Sequence, residues 1–173
     1  MQGGTIVVRG DAGDHVGSCY PGAKYGMNRG TILIAGSAGK GLGFRMRRGT
    51  IVVAGNAGKH LGWQMRAGTI AVAGNVSAPV GVDMKRGTIL LGTAVEPGVT
   101  FSEGPCSIPP TIEMLQRWIS ALCKKYGFVF PNPISNTCRM WNGDILCGGR
   151  GEVFMHQPKN QKKDRSQSLW RGL

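Results

Sequence analysis

Short runs of branched aliphatic residues recur along the first half of the chain. The string Gly-Thr-Ile-x-(Val/Ile/Leu) occurs five times, and its copies start 26, 19, 19 and 19 residues apart. The copies begin at Gly4, Gly30, Gly49, Gly68 and Gly87. Alternate residues of an extended segment lie on one face, so each string predicts a β-strand with one row of Ile and Val.

Two further patterns repeat in the same register. A methionine precedes each strand glycine by three residues, and the first four strands each lead into Gly-x2-Gly-x3-Gly, with Ser77 replacing one glycine. We predict that these glycines are structural, because tight corners and close backbone contacts exclude a Cβ atom. They are Gly10, Gly13, Gly17, Gly36, Gly39, Gly43, Gly55, Gly58, Gly62, Gly74 and Gly81.

A 19-residue repeat is too short for a helical hairpin, whose repeats need about 33 residues or more. The pattern predicts an all-β-dominated parallel β-helix, a β-solenoid of about 19 residues per coil. The Ile and Val row is expected to line its interior. The apolar spacing over Ile112–Tyr126 adds one C-terminal amphipathic helix. A small strand pair is expected with turns at Asn142-Gly143 and Gly148-Gly149.

The opposite face of the strands is also apolar, although a solvated sheet face is normally polar. We expect a covering element there, either the chain's own helix or a partner. The first coil also carries seven extra residues, which end in a projecting turn. The candidate partner interface combines both features: Val7, Leu33, Val52, Leu90, Tyr20 and Tyr25.

The patterns divide the chain into three parts. Residues 1–94 form the coils, and because the first strand starts in register with no cap, further upstream coils are expected. Residues 95–156 supply a linker, the helix and the terminal strands, which pack on the solenoid. Residues 157–173 are polar and basic and are predicted to be disordered.

Composition narrows the class of protein. The 173 residues include 29 glycines without a collagen period, and the formal net charge is +12. Apolar runs are far shorter than the roughly 20 residues that a membrane span needs. The five cysteines show no regular spacing of the kind found in disulfide-linked domains, which favours reduced thiols in the cytoplasm.

The residues predict no catalytic, cofactor-binding or metal-binding site in this chain. His15, His60 and His156 are not at ligand spacing, and no Gly-x-Ser-x-Gly motif or complete phosphate-binding loop occurs. Stacked coils would instead align basic residues along one edge, which leaves a polyanion-binding solenoid as an alternative. This basic ladder comprises Arg29, Arg47, Arg48, Arg66, Lys85 and Arg86. Nucleic acid is disfavoured as a partner because the strands lack aromatic residues for base stacking.

The coil strings, the repeated glycine motif and the methionines resemble the GXGXG β-helix family. The ending RMWNGDILCGGRGEVF is similar to the closing segment of the β-helix subunit found in formylmethanofuran dehydrogenase and in formyltransferase/hydrolase complexes. The resemblance covers roughly residues 1–155. The other branch of the family, the C-terminal domain of the glutamate synthase large subunit, is an alternative.

The resemblance implies a right-handed β-helix that acts as a non-catalytic scaffold subunit in one-carbon metabolism on methanofuran. It implies other subunits of an enzyme complex as partners, and no membrane. It also implies that zinc, or a molybdenum or tungsten pterin, belongs to those other subunits. The sequence leaves open whether the complex is an oxidoreductase or a formyltransferase/hydrolase.

Overall fold

A computed structural model describes residues 1–105, 107–131, 134 and 138–156. The predicted disordered tail and Cys106 lie outside the described residues. Within the described ranges there are eight strands, one α-helix (α1) and a short 3-10 helix at Ile145–Cys147. In chain order they are β1 (Gln2–Val8), β2 (Arg29–Ile34), β3 (Thr50–Val53), β4 (Thr69–Val72), β5 (Arg86–Leu91), β6 (Ser102–Glu103), α1 (Pro110–Lys125), β7 (Cys138–Gly143) and β8 (Arg150–His156).

The five repeated strings form β1 to β5, which pair in parallel in the order of the sequence. Their register aligns equivalent residues, so that Ile32 pairs with Ile51, and Ile51 pairs with Ile70. Each residue therefore faces its equivalent in the next repeat, about 4.8 Å away. The parallel, in-register pairing of the five strings is as predicted.

The prediction of a right-handed parallel β-helix is wrong. The described residues form a single open, mixed sheet of eight strands with the order β1-β2-β3-β4-β5-β8-β7-β6. Beyond the strands, successive repeats meet in isolated bridges such as Ala38–Ala57 and Leu61–Val80. A glycine every three or four residues interrupts the extended runs in these segments, which limits their pairing to single bridges.

The predicted small strand pair is present as β7 and β8, and β8 also joins this pair to the five repeated strands. β8 lies parallel to β5 and continues its register, with Arg86 opposite Arg150 and Leu91 opposite Met155. β7 then pairs antiparallel with β8, and β6 pairs antiparallel with β7. The segment predicted as a linker therefore contributes an edge strand and also buries Phe101.

The sheet has an apolar cluster on each face. The inner cluster contains Ile51, Ile70, Ile89 and the methionines that precede the strands, as the alternation predicts. The outer cluster packs α1 against the sheet, with Ile119 beside Leu33 and its equivalents. Helix α1 begins with Pro110 at its first turn and is followed by Gly127, as is typical of helix ends. No helix in the described part of the chain is long and apolar enough to cross a bilayer.

Candidate functional site

The apolar outer face is covered by the chain itself. Leu33, Val52 and Leu90 are fully buried, in one cluster with Ile119 of α1. The chain's own helix, one of the two covers that the sequence left open, occupies this face, so these three residues do not form an exposed surface. Val7 is half-buried at the edge of the same cluster.

The insertion in the first repeat contains the two tyrosines of the candidate interface. Tyr20 is 84% exposed at its tip. Tyr25 is half-buried, and the guanidinium groups of Arg47 and Arg66 lie 5.0 and 5.6 Å from its ring centroid. The partner interface remains a prediction, now restricted to the exposed side of this loop.

The basic ladder runs across the amino-terminal ends of the strands, because Arg29 and Arg86 are the first residues of β2 and β5 in the same sheet. Neither of the two ion pairs found among the described residues involves the ladder. Two of its guanidinium groups, those of Arg47 and Arg66, lie over the ring of Tyr25 instead. Polyanion binding by this edge stays a prediction.

Most of the motif glycines lie where one repeat approaches another, but at Gly10 and Gly13 in the first repeat an added Cβ would meet nothing within 4 Å. A Cβ atom added at Gly55 would lie 2.7 Å from the backbone carbon of Gly36 in the preceding repeat. Gly62 differs, because its φ of +67° places it in the left-handed region that favours glycine. Close approach and positive φ, the two reasons for which glycine was expected in these motifs, are both present.

The methionines have a role that the sequence did not reveal. A Cβ added at Gly49 would lie 2.7 Å from Cε of Met27, and one at Gly68 would lie 2.8 Å from Cε of Met46. Each strand glycine from the second repeat onward thus leaves room for the methionine methyl group of the preceding repeat. In the sequence, the methionines and the strand glycines repeat with the same period, but only the packing in the structure shows why the two occur together.

A second group that the sequence missed joins three separate segments. Asp83, Asp144 and Cys147 each offer one ligand atom, and these atoms lie within 4.8 Å of one another. Both oxygens of buried Asp144 accept backbone N–H bonds, from Asp83 at 2.8 Å and from Leu146 at 3.1 Å. The carboxylate thereby fastens the turn after β7 to the fourth repeat, a structural role that does not need a metal ion.

The same neighbours affect the Cys147 thiol. Desolvation by burial raises the pKa of Cys147, and the nearby carboxylates of Asp144 and Asp83 raise it further. Cys123, buried under α1, has its pKa raised to about 11 by burial. Neither thiol is therefore activated as a nucleophile at neutral pH, because the reactive form is the thiolate.

Replacing Asp83 with asparagine is expected to lower the pKa of Cys147, because it removes one of the two negative charges that disfavour the thiolate. Alkylation of Cys147 should then become faster at a given mildly alkaline pH. Mass spectrometry of the Cys147 peptide over a pH series measures this change. Asp14→Asn, in a distant exposed turn, is the matched control and should leave the profile unchanged; a similar shift in both variants would contradict the assignment.

The histidines do not assemble a site. His15 and His60 are exposed, each with a positive φ, at equivalent corners of different repeats. His60 lies beside the Trp63 ring, with centroids 5.4 Å apart. Among the described residues, the one group of three metal-ligand side chains is the Asp83, Asp144 and Cys147 group.

A large opening lies at the β1 end of the sheet. It is a cavity of about 840 Å³ lined mainly by apolar residues of the first repeat and its insertion. Ile6 and Val8 line it from the strand, and Met27 and Ile32 line it from the second repeat. The cavity lies where the inward-facing apolar row of the sheet ends at β1, and its walls are side chains of that row.

The chain is similar to a solved structure, the crystal structure of the formyltransferase/hydrolase complex (FhcABCD) from Methylorubrum extorquens in complex with methylofuran. The two chains share 37% sequence identity with a TM-score of 0.81. The match covers 91% of this chain and 57% of the other, so this chain spans a little over half of its length. No family model and no curated protein matches the chain.

Proposed function

We propose that this chain is a non-catalytic scaffold subunit in a formyltransferase/hydrolase complex of one-carbon metabolism. The observation that carries the proposal is 37% identity over 91% of the chain to part of that complex, with a TM-score of 0.81. The likeness favours the formyltransferase/hydrolase complex over the dehydrogenase and over a glutamate synthase module. Methanofuran-type substrates would then be handled by the assembly rather than by this chain.

The side chains support a structural rather than a catalytic role. In the described regions, the one group of three metal-ligand side chains is Asp83, Asp144 and Cys147. The buried carboxylate of Asp144 in this group already accepts hydrogen bonds from two backbone N–H groups. The two thiols with shifted pKa values are both shifted away from reactivity. Metal or pterin chemistry in the complex is accordingly assigned to other subunits.

The partners in this proposal are the other subunits of the complex. Cys19, Cys123 and Cys147 are free thiols, which supports a reducing compartment, and we place the complex in the cytoplasm. Of the exposed residues, Tyr20 and the loop around it are the proposed contact with a partner. The rigid repeated sheet would hold that loop in position.

Purification of the tagged chain from its native host tests the proposal. We expect formyltransferase and hydrolase subunits to co-purify in stoichiometric amounts, and the isolated chain to have no formyl-transfer activity. The same tag on an unrelated protein of that host is the control. A chain that elutes alone, or with glutamate synthase polypeptides, would contradict the proposal.

Deletion of the gene separates a scaffold from a catalytic subunit. Loss of a scaffold should reduce the yield of assembled complex several-fold, while the activity of each remaining assembled particle is retained. An intact particle that has lost its turnover would assign catalysis to this chain.

A further inference from the structure

Cationic residues of successive repeats lie beside one another at the amino-terminal ends of the strands. The backbone N–H groups of Arg47, Arg66 and Lys85 donate to methionine carbonyl groups of the preceding repeat at 2.8, 2.7 and 2.8 Å. These three positions of the basic ladder are therefore equivalent, with a spacing of about 4.8 Å between neighbouring backbones. Arg150 of β8 adds a further cation, because it lies directly opposite Arg86 in the parallel register of β5 and β8.

The basic ladder has no anionic neighbour among the described residues. The two ion pairs in those residues join Lys40 to Asp14 and Arg139 to Glu103, and neither includes a cation of the ladder. Like charges that face each other on neighbouring strands are destabilising. Their spacing of about 4.8 Å is shorter than the Debye length of about 8 Å at physiological ionic strength, so salt screens the repulsion only in part. A bound anion would remove this repulsion.

The insertion in the first repeat brings an aromatic ring to the ladder. The guanidinium carbon atoms of Arg47 and Arg66 lie 5.0 and 5.6 Å from the ring centroid of Tyr25, and the ammonium group of Lys24 lies 5.6 Å from it. Cation–π contacts attract these groups to the ring without neutralising their charge. Three positive charges are therefore gathered around one ring, and the insertion supplies both the ring and one of the charges.

The chemistry of this cluster favours a compact ligand with several negative charges. A guanidinium group binds carboxylate or phosphate through two parallel N–H···O bonds. A single carboxylate would neutralise only one of the three charges around Tyr25, whereas a phosphate group carries up to two charges and three acceptor oxygens. Consecutive phosphoryl groups are all charged and have no uncharged spacer between them, so an oligophosphate can follow the ladder from Arg47 to Lys85.

We infer that Arg47, Arg66 and Lys85 bind the oligophosphate group of a small molecule. The first phosphoryl group would accept hydrogen bonds from the guanidinium groups of Arg47 and Arg66, and the next would contact the Lys85 ammonium group as a point charge. Tyr25 is a positioning residue, because its ring holds both guanidinium groups on one side of the site. The inference goes beyond the proposed function and does not depend on it.

Two larger anions fit the observations less well. A single-stranded nucleic acid binds through aromatic side chains on which its bases stack, and the five repeated strands carry none. An acidic polypeptide segment separates its carboxylates by uncharged backbone, so it does not place two charges of one group between the guanidinium groups of Arg47 and Arg66.

Calorimetric titration of the whole chain with inorganic triphosphate at low ionic strength tests the inference. We expect saturable binding that weakens as salt is added. Arg66→Gln should weaken binding about tenfold, the loss expected for one hydrogen bond to a charged group. The matched control is Arg117→Gln, which removes the same charge from the exposed side of α1 and should bind as the parent does. The melting temperature of each variant without triphosphate shows that its fold is retained.

Substitutions of Tyr25 test its positioning role separately. Tyr25→Phe retains a ring beside the guanidinium groups and should bind triphosphate as the parent does. Tyr25→Leu should weaken binding about threefold, because the cation–π contacts that hold Arg47 and Arg66 are lost. Equal binding by the leucine and phenylalanine variants would contradict this role.

Three other results would overturn the inference. Equal binding by Arg66→Gln and the parent would place triphosphate elsewhere, such as on the basic residues after position 156. Equally tight binding of citrate, a compact tricarboxylate, would show that phosphoryl groups are not selected. Tighter binding of a single-stranded oligonucleotide than of triphosphate, with the difference lost in Arg66→Gln, would assign the ladder to nucleic acid.

Discussion

Replacing Gly68 with valine is expected to destabilise the sheet by about 3 kcal/mol or more, from backbone strain and overpacking together. Gly68 begins the strand string of the fourth repeat with a φ of +111°, a conformation that β-branched residues do not adopt without strain. Its added Cβ would also lie 2.9 Å from the carbonyl oxygen of Gly49 and 2.8 Å from Met46 Cε. The methionine can move, but the backbone oxygen cannot.

Urea denaturation followed by circular dichroism measures the loss. The matched control is Gly10→Val, at a position where φ is not positive and an added Cβ meets open space. That substitution should change the free energy of unfolding by no more than about 0.5 kcal/mol, as surface substitutions usually do. Equal losses in both variants would show that valine itself, rather than the contact between repeats, is responsible.

Replacing Ile119 with aspartate is expected to detach α1 from the sheet. Ile119 is fully buried in the outer cluster, and an unpaired carboxylate there has no partner to offset its desolvation. The loss should be about 3 kcal/mol or more, in the range of large core defects. Detachment would expose Leu33, Val52 and Leu90, so the variant should bind a hydrophobic dye and aggregate.

Met114→Asp on the same helix provides the control. Met114 is 69% exposed, so the change introduces the same residue into the same helix without breaking the contact with the sheet. Dye binding and the melting temperature should stay near those of the parent. If Ile119→Asp also remained monomeric and bound no dye, the assignment of α1 as the essential cover would be wrong.

Much of the local structure could be predicted because it depends on residues that repeat. The spacing of the Gly-Thr-Ile strings placed β1 to β5 in parallel register, since equivalent residues stack when every repeat has the same length. The spacing of Ile112 and its partners likewise placed a helix within two residues of its observed ends, Pro110 and Lys125.

The overall architecture was mispredicted in two places: the repeated glycine segments form isolated bridges, and the terminal strands join the sheet. Residues 138–156 form two strands as expected, but β8 continues the register of β5 and carries β7 and β6 with it. A short strand pattern does not specify its neighbour. That choice depends on which edge remains open after the other strands have paired.

The candidate site shows the same division. Tyr20 could be identified as projecting because its turn interrupts a regular repeat, and the structure leaves it 84% exposed. The contact of Asp83 with Asp144 could not be identified, because 61 residues separate the two and neither belongs to a recognisable motif.

By itself the sequence determined the strands, their register, the inward Ile and Val row and the helix, because each follows from spacing along the chain. The tertiary structure alone decided that the described sheet is open and mixed and that the chain's own helix covers the outer apolar face. These features depend on contacts between segments far apart in sequence, where close packing, rather than any local periodicity, selects the partner.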